Sequence, residues 1–509
     1  MPDFDVVIIG YGPVGVMGAH LMADAGLRVA VVESETEIVD IPRAVNLDGE
    51  IVREYQRLGH GKEIEAQTQA LREGDAVSFV NSKREPYFQL PLPAAGHNGY
   101  RDMGFMDQPE LEGTLRELVD RQGLASLRLG YEALAIQVES DQVSVEIRAK
   151  AGGDRETLSA SYLIGCDGAS SFVRQHTGIG WEDLGYDQDW LVVDIVVQDT
   201  GDLTNLTMQV CDPARLSTYV CVKDPNRRWE FQLLPGETRE EMLRPEKITE
   251  LLSDWIEEGR YSIRRAAVYQ FHAALASEWR VGRVFLAGDA AHQTPPFLGQ
   301  GLNTGFRDVI NLAWKLRLVF DGISHERLLD TYMAERGAHA RDFVEWAVAL
   351  GKLMENFAAG EAGEPPPHEV DPSSGYGQGR AAPPISQGVI IAEQIGAESS
   401  TGYLLRQPML RGADGREFPM DEILGHGFAV VALEDSALVM SPGSQSILDR
   451  IGARLVSLSG LEVSAGGLDS ALEDGSALIV RPDRYVFGVV DEERDLDDLV
   501  ASLSEKLFL

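Results

Sequence analysis

Two segments, far apart in the chain, carry residue types that are typical of a dinucleotide-binding site. One is Gly-Tyr-Gly-Pro-Val-Gly at 10–15, directly after an apolar run. The other, 288–303, begins with a Gly-Asp pair, continues through two adjacent prolines and ends with Gly-Leu-Asn. A dinucleotide needs a binding surface for each of its two halves. We therefore predict that the two segments together bind one dinucleotide cofactor.

The first segment matches the phosphate-binding turn of a Rossmann-like unit. An apolar run predicts a buried strand before the turn, and residues 13–25 predict a helix after it. In such a turn Gly10 permits the tight bend, Gly12 lets the backbone approach the pyrophosphate, and Gly15 lets the helix pack closely on the strand. Glu33 ends the next predicted strand, near the spacing of about 20 residues expected for a carboxylate that binds ribose hydroxyls. The fingerprint alone does not distinguish NAD from FAD.

The composition restricts the class of protein. The chain has 509 residues with 44% hydrophobic content, enough for two or three domains with a large core. Its net charge of −36 disfavours binding to nucleic acid and to anionic membranes. Three cysteines without a C-x-x-C pair indicate a reducing compartment. A strand predicted from residue 4 leaves no room for a signal peptide, and no apolar run is long enough to span a membrane. We therefore expect a cytoplasmic protein that binds neither nucleic acid nor membrane.

Patterns along the chain predict an α/β protein in five segments. The nucleotide-binding unit occupies 1–180 and returns at 281–358, where it is followed by helices. Between these parts, 181–280 contains strand-like runs separated by turn residues, which predict a mostly antiparallel sheet that could form a wall of a substrate pocket. Residues 359–387, rich in Gly, Pro and Ser, predict a linker. Residues 388–509 show short strands and a final amphipathic helix, which predict a separate C-terminal domain.

A glycine-rich run inside the linker, Gly-Tyr-Gly-Gln-Gly at 375–379, has no predicted strand before it and no predicted helix after it. We therefore do not interpret it as a second nucleotide site. No His, Cys or carboxylate cluster has the spacing of a metal site, so no metal is predicted.

The second segment and a motif in the middle of the chain resemble the class A FAD-dependent flavoprotein aromatic hydroxylases. Gly288-Asp289, the following prolines and 301–303 resemble the second FAD motif of that family, and 166–174 (Cys-Asp-Gly-Ala-Ser-Ser-Phe-Val-Arg) resembles its middle motif. Further stretches resemble its 3-(3-hydroxyphenyl)propionate hydroxylase branch: 8–15, 42–45, 108–112 and 283–289. The resemblance implies that NADPH or NADH reduces FAD, that dioxygen adds to it, and that a flavin hydroperoxide hydroxylates a small phenolic substrate.

The resemblance also extends to the C-terminal segment. The order of its elements and Arg-Pro-Asp-Arg-Tyr at 481–485 resemble the thioredoxin-like C-terminal domain of larger family members. No cysteine follows Cys221, so thiol redox chemistry is excluded in that segment. A role in homodimer formation stays open.

Roles of individual residues follow from the same resemblance. Glu33 would bind the adenosine ribose, Arg43 would lie near the pyrophosphate, and Gln108 would lie near the ribityl chain. Asp289 would bind the ribityl hydroxyls, and Pro296 would pack beside the reacting edge of the flavin. Amides at the start of the following helix would face the pyrimidine ring, where negative charge develops on reduction. The residues predicted to contact FAD are Gly10, Gly12, Pro13, Val14, Gly15, Glu33, Arg43, Gln108, Asp167, Gly288, Asp289, Pro296, Gly299, Gly301, Leu302 and Asn303. For Asp167 an Asx turn after a strand is the alternative.

The group that activates the phenol is not identified by the sequence. A phenol has a pKa near 10, about that of Tyr, so its activation needs a proton acceptor. Val45 stands where phenol hydroxylases have Asp, and Asn46, where the branch often has His, cannot act as a base. The remaining catalytic candidates are Asp48, Tyr269 and His272. For each of them a structural role is commoner than a catalytic one. Two alternatives therefore stay open: hydroxylation of a larger aromatic polyketide, and flavin binding without turnover.

Overall fold

The computed structural model describes residues 2–72, 74–201, 203–369, 382–396 and 399–509. Its first sheet has eight strands. The central strand, Phe4–Ile9, pairs in parallel with Val29–Glu33 and with Arg155–Gly165. Its residues 6–9 are buried, which explains why this part of its sequence is continuously apolar rather than alternating. The remaining strands of the first sheet are Ala125–Leu129, Tyr131–Val138, Val143–Ala149, Arg280–Val281 and Val284–Leu286.

Three helices pack around the carboxyl end of that central strand. Helix Pro13–Asp24 begins directly after Gly12, so its N-terminus lies at the end of the strand. Helices Gln108–Gln122 and Gly301–Phe320 pack against it. These positions confirm the predicted strand, turn and helix of a Rossmann-like unit.

The second sheet also has eight strands, in the order His292–Gln293, Tyr261–Ala276, Trp181–Val197, Asn226–Gln232, Arg215–Val220, Leu206–Asp212, Ala76–Val80 and Pro86–Pro91. All neighbours are antiparallel except Leu206–Asp212 and Ala76–Val80. The inserted sheet is therefore mostly antiparallel, as predicted. Its last two strands belong to a segment that was predicted to lie in the nucleotide-binding unit. The sequence did not reveal their place in this sheet, because pairing between distant strands leaves no local signal in the chain.

The helical region ends later than predicted. Helix Thr331–Ala362 extends into the predicted linker, so residues 359–362 are helical. Gly363, with φ of 78°, ends it in a left-handed conformation that favours glycine. The glycine-rich run at 375–379 lies outside the described residues. Among the residues that the structure describes, no helix is both long and apolar enough to cross a membrane.

The C-terminal residues form a four-stranded sheet in the order Arg454–Ser457, Ala429–Ala432, Leu478–Val480 and Val486–Val489. The first two strands are parallel and the others antiparallel. Helices Pro442–Arg450 and Leu496–Lys506 pack against each other, and the second also contacts the strand Val486–Val489 of this C-terminal sheet. A smaller sheet has the order Glu417–Pro419, Met409–Arg411 and Glu462–Ala465. The shorter elements are the strand pair Asn46–Leu47 and Gly104–Phe105, and helices Gly49–Arg57, Gly61–Glu65, Phe172–His176, Arg239–Met242, Pro245–Leu252, Asp421–Leu424 and Ser470–Glu473.

Candidate active site

A cavity of about 290 Å³ is lined by residues of both large sheets and of the connecting loops. One wall contains the two predicted dinucleotide segments, which lie far apart in the sequence and meet here. The opposite wall is a face of the second sheet. The first wall comprises Gly12, Pro13, Val14, Arg43, Gln108, Cys166, Gly168, Gly288, Asp289, Pro296, Gly299, Gly301 and Leu302. The second comprises Val77, Phe79, Thr207, Gln209, Thr218, Val220, Arg228 and Glu230.

The phosphate-binding turn has the geometry that its glycines predict. A Cβ at Gly12 would meet no atom within 4 Å, so the backbone there faces open cavity. Gly10 and Gly15 lie behind it: a Cβ at Gly15 would come within 2.0 Å of the Gly10 carbonyl oxygen. Glu33 holds the turn through its carboxylate, which accepts a hydrogen bond from the Tyr11 amide at 2.7 Å. The turn is therefore shaped to receive a phosphate at the N-terminus of a helix.

Arg43 and Gln108 lie together at the cavity wall. The Gln108 side-chain oxygen accepts hydrogen bonds from the amides of Arg43 at 3.1 Å and Ala44 at 2.7 Å. Gln108 therefore fixes the backbone that presents the exposed Arg43 guanidinium. A cation at this position suits the pyrophosphate of a dinucleotide.

Asp289 lines the cavity without a hydrogen bond to any described residue. It follows the strand Val284–Leu286 and stands in a short turn that begins at Gly288. Desolvation raises the pKa of its carboxyl group, and the charges of His292 and Arg43 oppose that effect. A carboxylate with free acceptor capacity is suited to bind hydroxyl groups of a ligand.

The loop after Pro295 forms the next part of the wall. Pro296 begins a short helical turn, and Gly299 follows with φ of 61°. A Cβ at Gly299 would come within 2.2 Å of the Asn46 side-chain oxygen, so the position requires glycine. Gly301 and Leu302 then open helix Gly301–Phe320 at the cavity, where the first amides of the helix have no acceptor within it.

Two further residues that were predicted to contact the cofactor use their side chains to hold the site together. Asn303 accepts a hydrogen bond from the Asp48 amide at 3.0 Å and donates to the Asn46 carbonyl at 3.4 Å. The Asp167 carboxylate accepts from Ser171 Oγ at 2.5 Å and from the Val173 amide at 3.0 Å. These contacts hold the loop that follows the strand, and both the cofactor contact of Asp167 and its alternative, an Asx turn, stay predictions.

The three candidate bases are not among the residues that line the cavity. Asp48 is buried and bound by Arg307 at 2.5 Å and by the Gln300 amide group at 3.1 Å. Burial raises the pKa of Asp48, and Arg307 opposes the rise. Tyr269 lies two strands away from Glu230 and packs under the Arg265 guanidinium. His272 stands on the face of its strand opposite to Tyr269, where it is exposed and contacts the Asp187 carboxylate.

The structure adds a residue that sequence reasoning missed. Glu230 lies on Asn226–Gln232, lines the cavity and is buried. Burial raises the pKa of its carboxyl group to about 7, although the charge of Arg228 opposes the rise and that of Asp194 adds to it. The strand was predicted, and its alternation of Arg228 and Glu230 with Arg227 and Trp229 was the available signal. Which of the two faces lines a cavity depends on the fold as a whole.

The arrangement fits FAD. A phosphate-binding turn, a carboxylate with free acceptor capacity and a helix N-terminus line the same cavity, and these groups suit the pyrophosphate, ribityl chain and flavin ring of FAD. No group of three or more His, Cys, Asp or Glu side chains among the described residues is placed to hold a metal ion.

Comparisons with known proteins agree with this site. Residues 3–347 match a family model described as an FAD binding domain, and 402–506 match one described as the HcaD C-terminal domain. A probable NADH-specific resorcinol 4-hydroxylase of Rhodococcus jostii (strain RHA1) is 32% identical, over 98% of this chain and 94% of the relative. A 3-(3-hydroxy-phenyl)propionate/3-hydroxycinnamic acid hydroxylase of Burkholderia vietnamiensis (strain G4 / LMG 22486) is 30% identical, over 96% of this chain and 93% of the relative.

Solved structures show the same fold. A complex of aklavinone-11 hydroxylase with FAD and aklavinone has a TM-score of 0.83 at 23% identity and covers 100% of this chain and 99% of that one. The flavin-dependent monooxygenase PieE in complex with FAD and substrate has a TM-score of 0.81 at 20% identity and covers 100% of both chains. The prediction of an enzyme is confirmed over that of a flavin-binding protein without turnover. The chain belongs to the FAD binding domain family and is an NAD(P)H-dependent flavoprotein aromatic hydroxylase.

Proposed function

We propose that this enzyme hydroxylates a small, uncharged phenol of the resorcinol type, with NADH as reductant and dioxygen as oxidant. The observation that carries the proposal is the pairing of the charged groups in the cavity. The Arg228 guanidinium is bound through Nε to Asp194 at 2.7 Å and through its other nitrogens to the carbonyls of Pro42 and Arg43. It has little capacity left to hold a carboxylate, and the adjacent Glu230 would repel one.

The rest of the substrate wall suits a single aromatic ring with hydroxyl groups. Thr207, Gln209 and Thr218 supply hydrogen-bonding side chains on adjacent strands. Apolar side chains surround them on the remaining sides of the cavity: Val45, Val77, Phe79, Met103, Phe105, Val220, Phe297 and Leu350. Few polar groups in an apolar pocket fix the orientation of a ligand.

The protein supplies binding and orientation around the cofactor. When bound, FAD supplies the electron transfer from the nicotinamide and the oxygen transfer to the ring. Asp289 and the amides of Gly301 and Leu302 would hold its ribityl chain and pyrimidine ring. Phe297 contacts Tyr186 and Trp190 edge to face, with ring centroids at 5.9 and 5.5 Å, and so gives the cavity a firmly packed apolar wall.

A larger aromatic polyketide is the second candidate. The likeness to aklavinone-11 hydroxylase favours it, but at 23% identity that likeness concerns the fold. A cavity of about 290 Å³ is near the lower end for ligand-binding pockets and must also accommodate the flavin ring. A single-ring substrate therefore fits better.

We also infer that residues 388–509 form a thioredoxin-like domain without thiol chemistry. A parallel β-α-β unit followed by an antiparallel hairpin and a helix supports this inference. The domain boundaries at about 180 and 280, a cytoplasmic location and homodimer formation are proposals of the same kind.

Steady-state oxidation of NADH tests the proposed substrate class. Resorcinol should stimulate it, and the product should carry one additional oxygen atom by mass. 3-(3-Hydroxyphenyl)propionate should give a kcat/KM at least roughly tenfold lower, because Arg228 is already bound to other groups and Glu230 would repel the carboxylate. A tetracyclic phenol should give no product. The reverse order between resorcinol and the propionate would contradict the proposal, and a parallel series with NADPH decides the reductant.

A further inference from the structure

We propose that Glu230 is the catalytic base that accepts the proton of the substrate's phenol hydroxyl. This inference rests on the proposed function, because it needs a phenol in the cavity. It names a group that the sequence did not identify, since Val45 and Asn46 replace the expected acceptors and both line the same cavity.

The position of Glu230 meets the geometric requirement for a base. Its side chain is only 6% exposed, and it lines the wall opposite the predicted flavin site. It makes no hydrogen bond with any described residue, and its closest cation, Arg228 Nη1, lies 3.9 Å from Oε1. Its oxygens are therefore available to a ligand hydroxyl, whereas those of Asp48 are held by Arg307 and Gln300.

Charged groups from three strands set the electrostatics around Glu230. Arg228 lies on its own strand, Asp194 on Trp181–Val197, and Arg265 and Tyr269 on Tyr261–Ala276. Asp194 engages both arginines, at 2.7 Å from Arg228 and 3.5 Å from Arg265. With Asp194 ionised, the cluster is neutral when Glu230 is ionised and carries one positive charge when Glu230 is protonated. Neither protonation state of Glu230 leaves the cluster with more than one net charge. A catalytic base must be able to adopt both states during turnover.

The proton balance of the step is complete. The phenol O–H bond breaks, its proton binds to the Glu230 carboxylate, and the electron pair stays on the phenol oxygen and increases electron density in the ring. The oxygen atom comes from dioxygen and two electrons come from NADH, with the second oxygen released as water. The hydroxylated ring carbon then loses its own proton to restore aromaticity, and Glu230 returns its proton to solvent or product.

Turnover of resorcinol by three variants tests the role of Glu230. Glu230→Gln keeps the shape but cannot accept a proton, Glu230→Asp keeps the carboxylate, and Glu182→Gln changes an exposed carboxylate of the same sheet that pairs with Arg341. In the wild type, product formation should rise with pH through an inflection near 7. Glu230→Gln should bind FAD normally, lose the inflection and form product roughly 10²-fold more slowly. Glu230→Asp should keep the inflection, and Glu182→Gln should match the wild type.

A ring-fluorinated resorcinol, whose hydroxyls are more acidic, should restore part of the activity of Glu230→Gln, because it ionises without a base. Equal rates and equal pH profiles in wild type and Glu230→Gln would overturn the role of Glu230 while leaving the proposed function intact. A wild type that hydroxylates no phenol would instead overturn the proposed function and, with it, this inference.

A binding measurement tests proton uptake by Glu230 without turnover. Infrared difference spectra of the oxidised, FAD-loaded enzyme are recorded at about pH 8, on addition of 4-nitrophenol, an acidic phenol that is already ionised in solution at this pH. In the wild type and in Glu182→Gln, the carbonyl band of a protonated carboxylic acid should appear, because the negative phenolate beside Glu230 makes its carboxylate take up a proton from solvent. The band should be missing in Glu230→Gln. A band that persists in that variant, or no band in the wild type, would refute the assignment.

Discussion

At the level of single residues, the partners of a buried carboxylate determine whether its oxygens are available to a substrate. Asp48 and Glu230 are both acidic and both buried, yet Asp48 is bound by Arg307 while the nearest arginine to Glu230 is engaged by Asp194. Sequence reasoning named Asp48 among the remaining candidates, and it missed Glu230 because the partners of a buried carboxylate depend on strand pairing. By contrast, the roles of Gly10, Gly12 and Gly15 were predictable, since they follow from backbone geometry within a few residues.

The titration of Glu230 should be visible in the stability of the FAD-loaded enzyme. Its pKa, about 7 in the folded protein, lies above the ordinary value of 4.5, so ionisation destabilises the fold as pH rises from 4.5 through 7. The Gln side chain does not ionise, so Glu230→Gln should have a higher free energy of unfolding in urea than the wild type at about pH 8, by on the order of 3 kcal/mol. At about pH 5 the two proteins should differ little. Equal differences at both pH values would show that Glu230 does not titrate in this range.

Removal of the Asp289 carboxylate should weaken FAD binding. Asp289 lines the cavity without an internal partner, so its hydrogen bonds are available to the ribityl chain. Asp289→Ala should raise the dissociation constant of FAD roughly 10- to 100-fold, which corresponds to about 1.5–3 kcal/mol. Fluorescence titration of the apoprotein measures it, and the exposed Asp435→Ala serves as the control. An unchanged constant would remove Asp289 from the FAD site.

At the scale of elements, the loop between Pro295 and helix Gly301–Phe320 connects the cofactor wall to the substrate wall. Its tight turn is fixed by the contact between Gly299 and Asn46, two positions that only the folded chain brings together. A helix after this loop was predicted, because its apolar periodicity is local. The joining of 76–91 to the second sheet was not predicted, because strand pairing over more than a hundred residues leaves no periodic pattern.

A pair of glycine substitutions distinguishes the effect of backbone strain on stability from the effect of the loop on FAD affinity. Gly299 and Gly322 both have positive φ, 61° and 67°, but only at Gly299 would a Cβ meet another residue. Gly299→Ala and Gly322→Ala should each cost about 1–2 kcal/mol in unfolding free energy. Only Gly299→Ala should also displace Asn46 and lower FAD affinity, roughly tenfold or more. Equal FAD affinity in the two variants would show that the loop tolerates the displacement.

On the scale of the whole molecule, the C-terminal residues are joined to the nucleotide-binding unit by buried charges as well as apolar packing. Arg481, fully buried, binds Glu335 at 2.7 Å and Asp483 at 2.6 Å. Burial alone would raise the pKa of Glu335, but Arg481 and Lys315 hold it at about 2. The sequence predicted that 388–509 forms a separate C-terminal domain. It did not show this contact, because Lys315, Glu335 and Arg481 are each unremarkable in their local pattern and become partners only after both units have folded.

The buried charges imply that the two units unfold together, and Arg481→Met tests this. The variant keeps much of the side-chain volume but leaves Glu335 with Lys315 as its remaining cation partner. Loss of one partner from a buried pair costs about 3–5 kcal/mol, so the midpoint of urea unfolding should fall substantially. Arg411→Met, which removes an exposed ion pair with Glu417 in the C-terminal region, should leave the midpoint unchanged. If the units are coupled, flavin fluorescence and far-ultraviolet circular dichroism should report one shared transition in both proteins, displaced only in Arg481→Met. Two separate transitions, with flavin release unaffected by the substitution, would show that the C-terminal residues fold independently and that the contact stabilises only their docking.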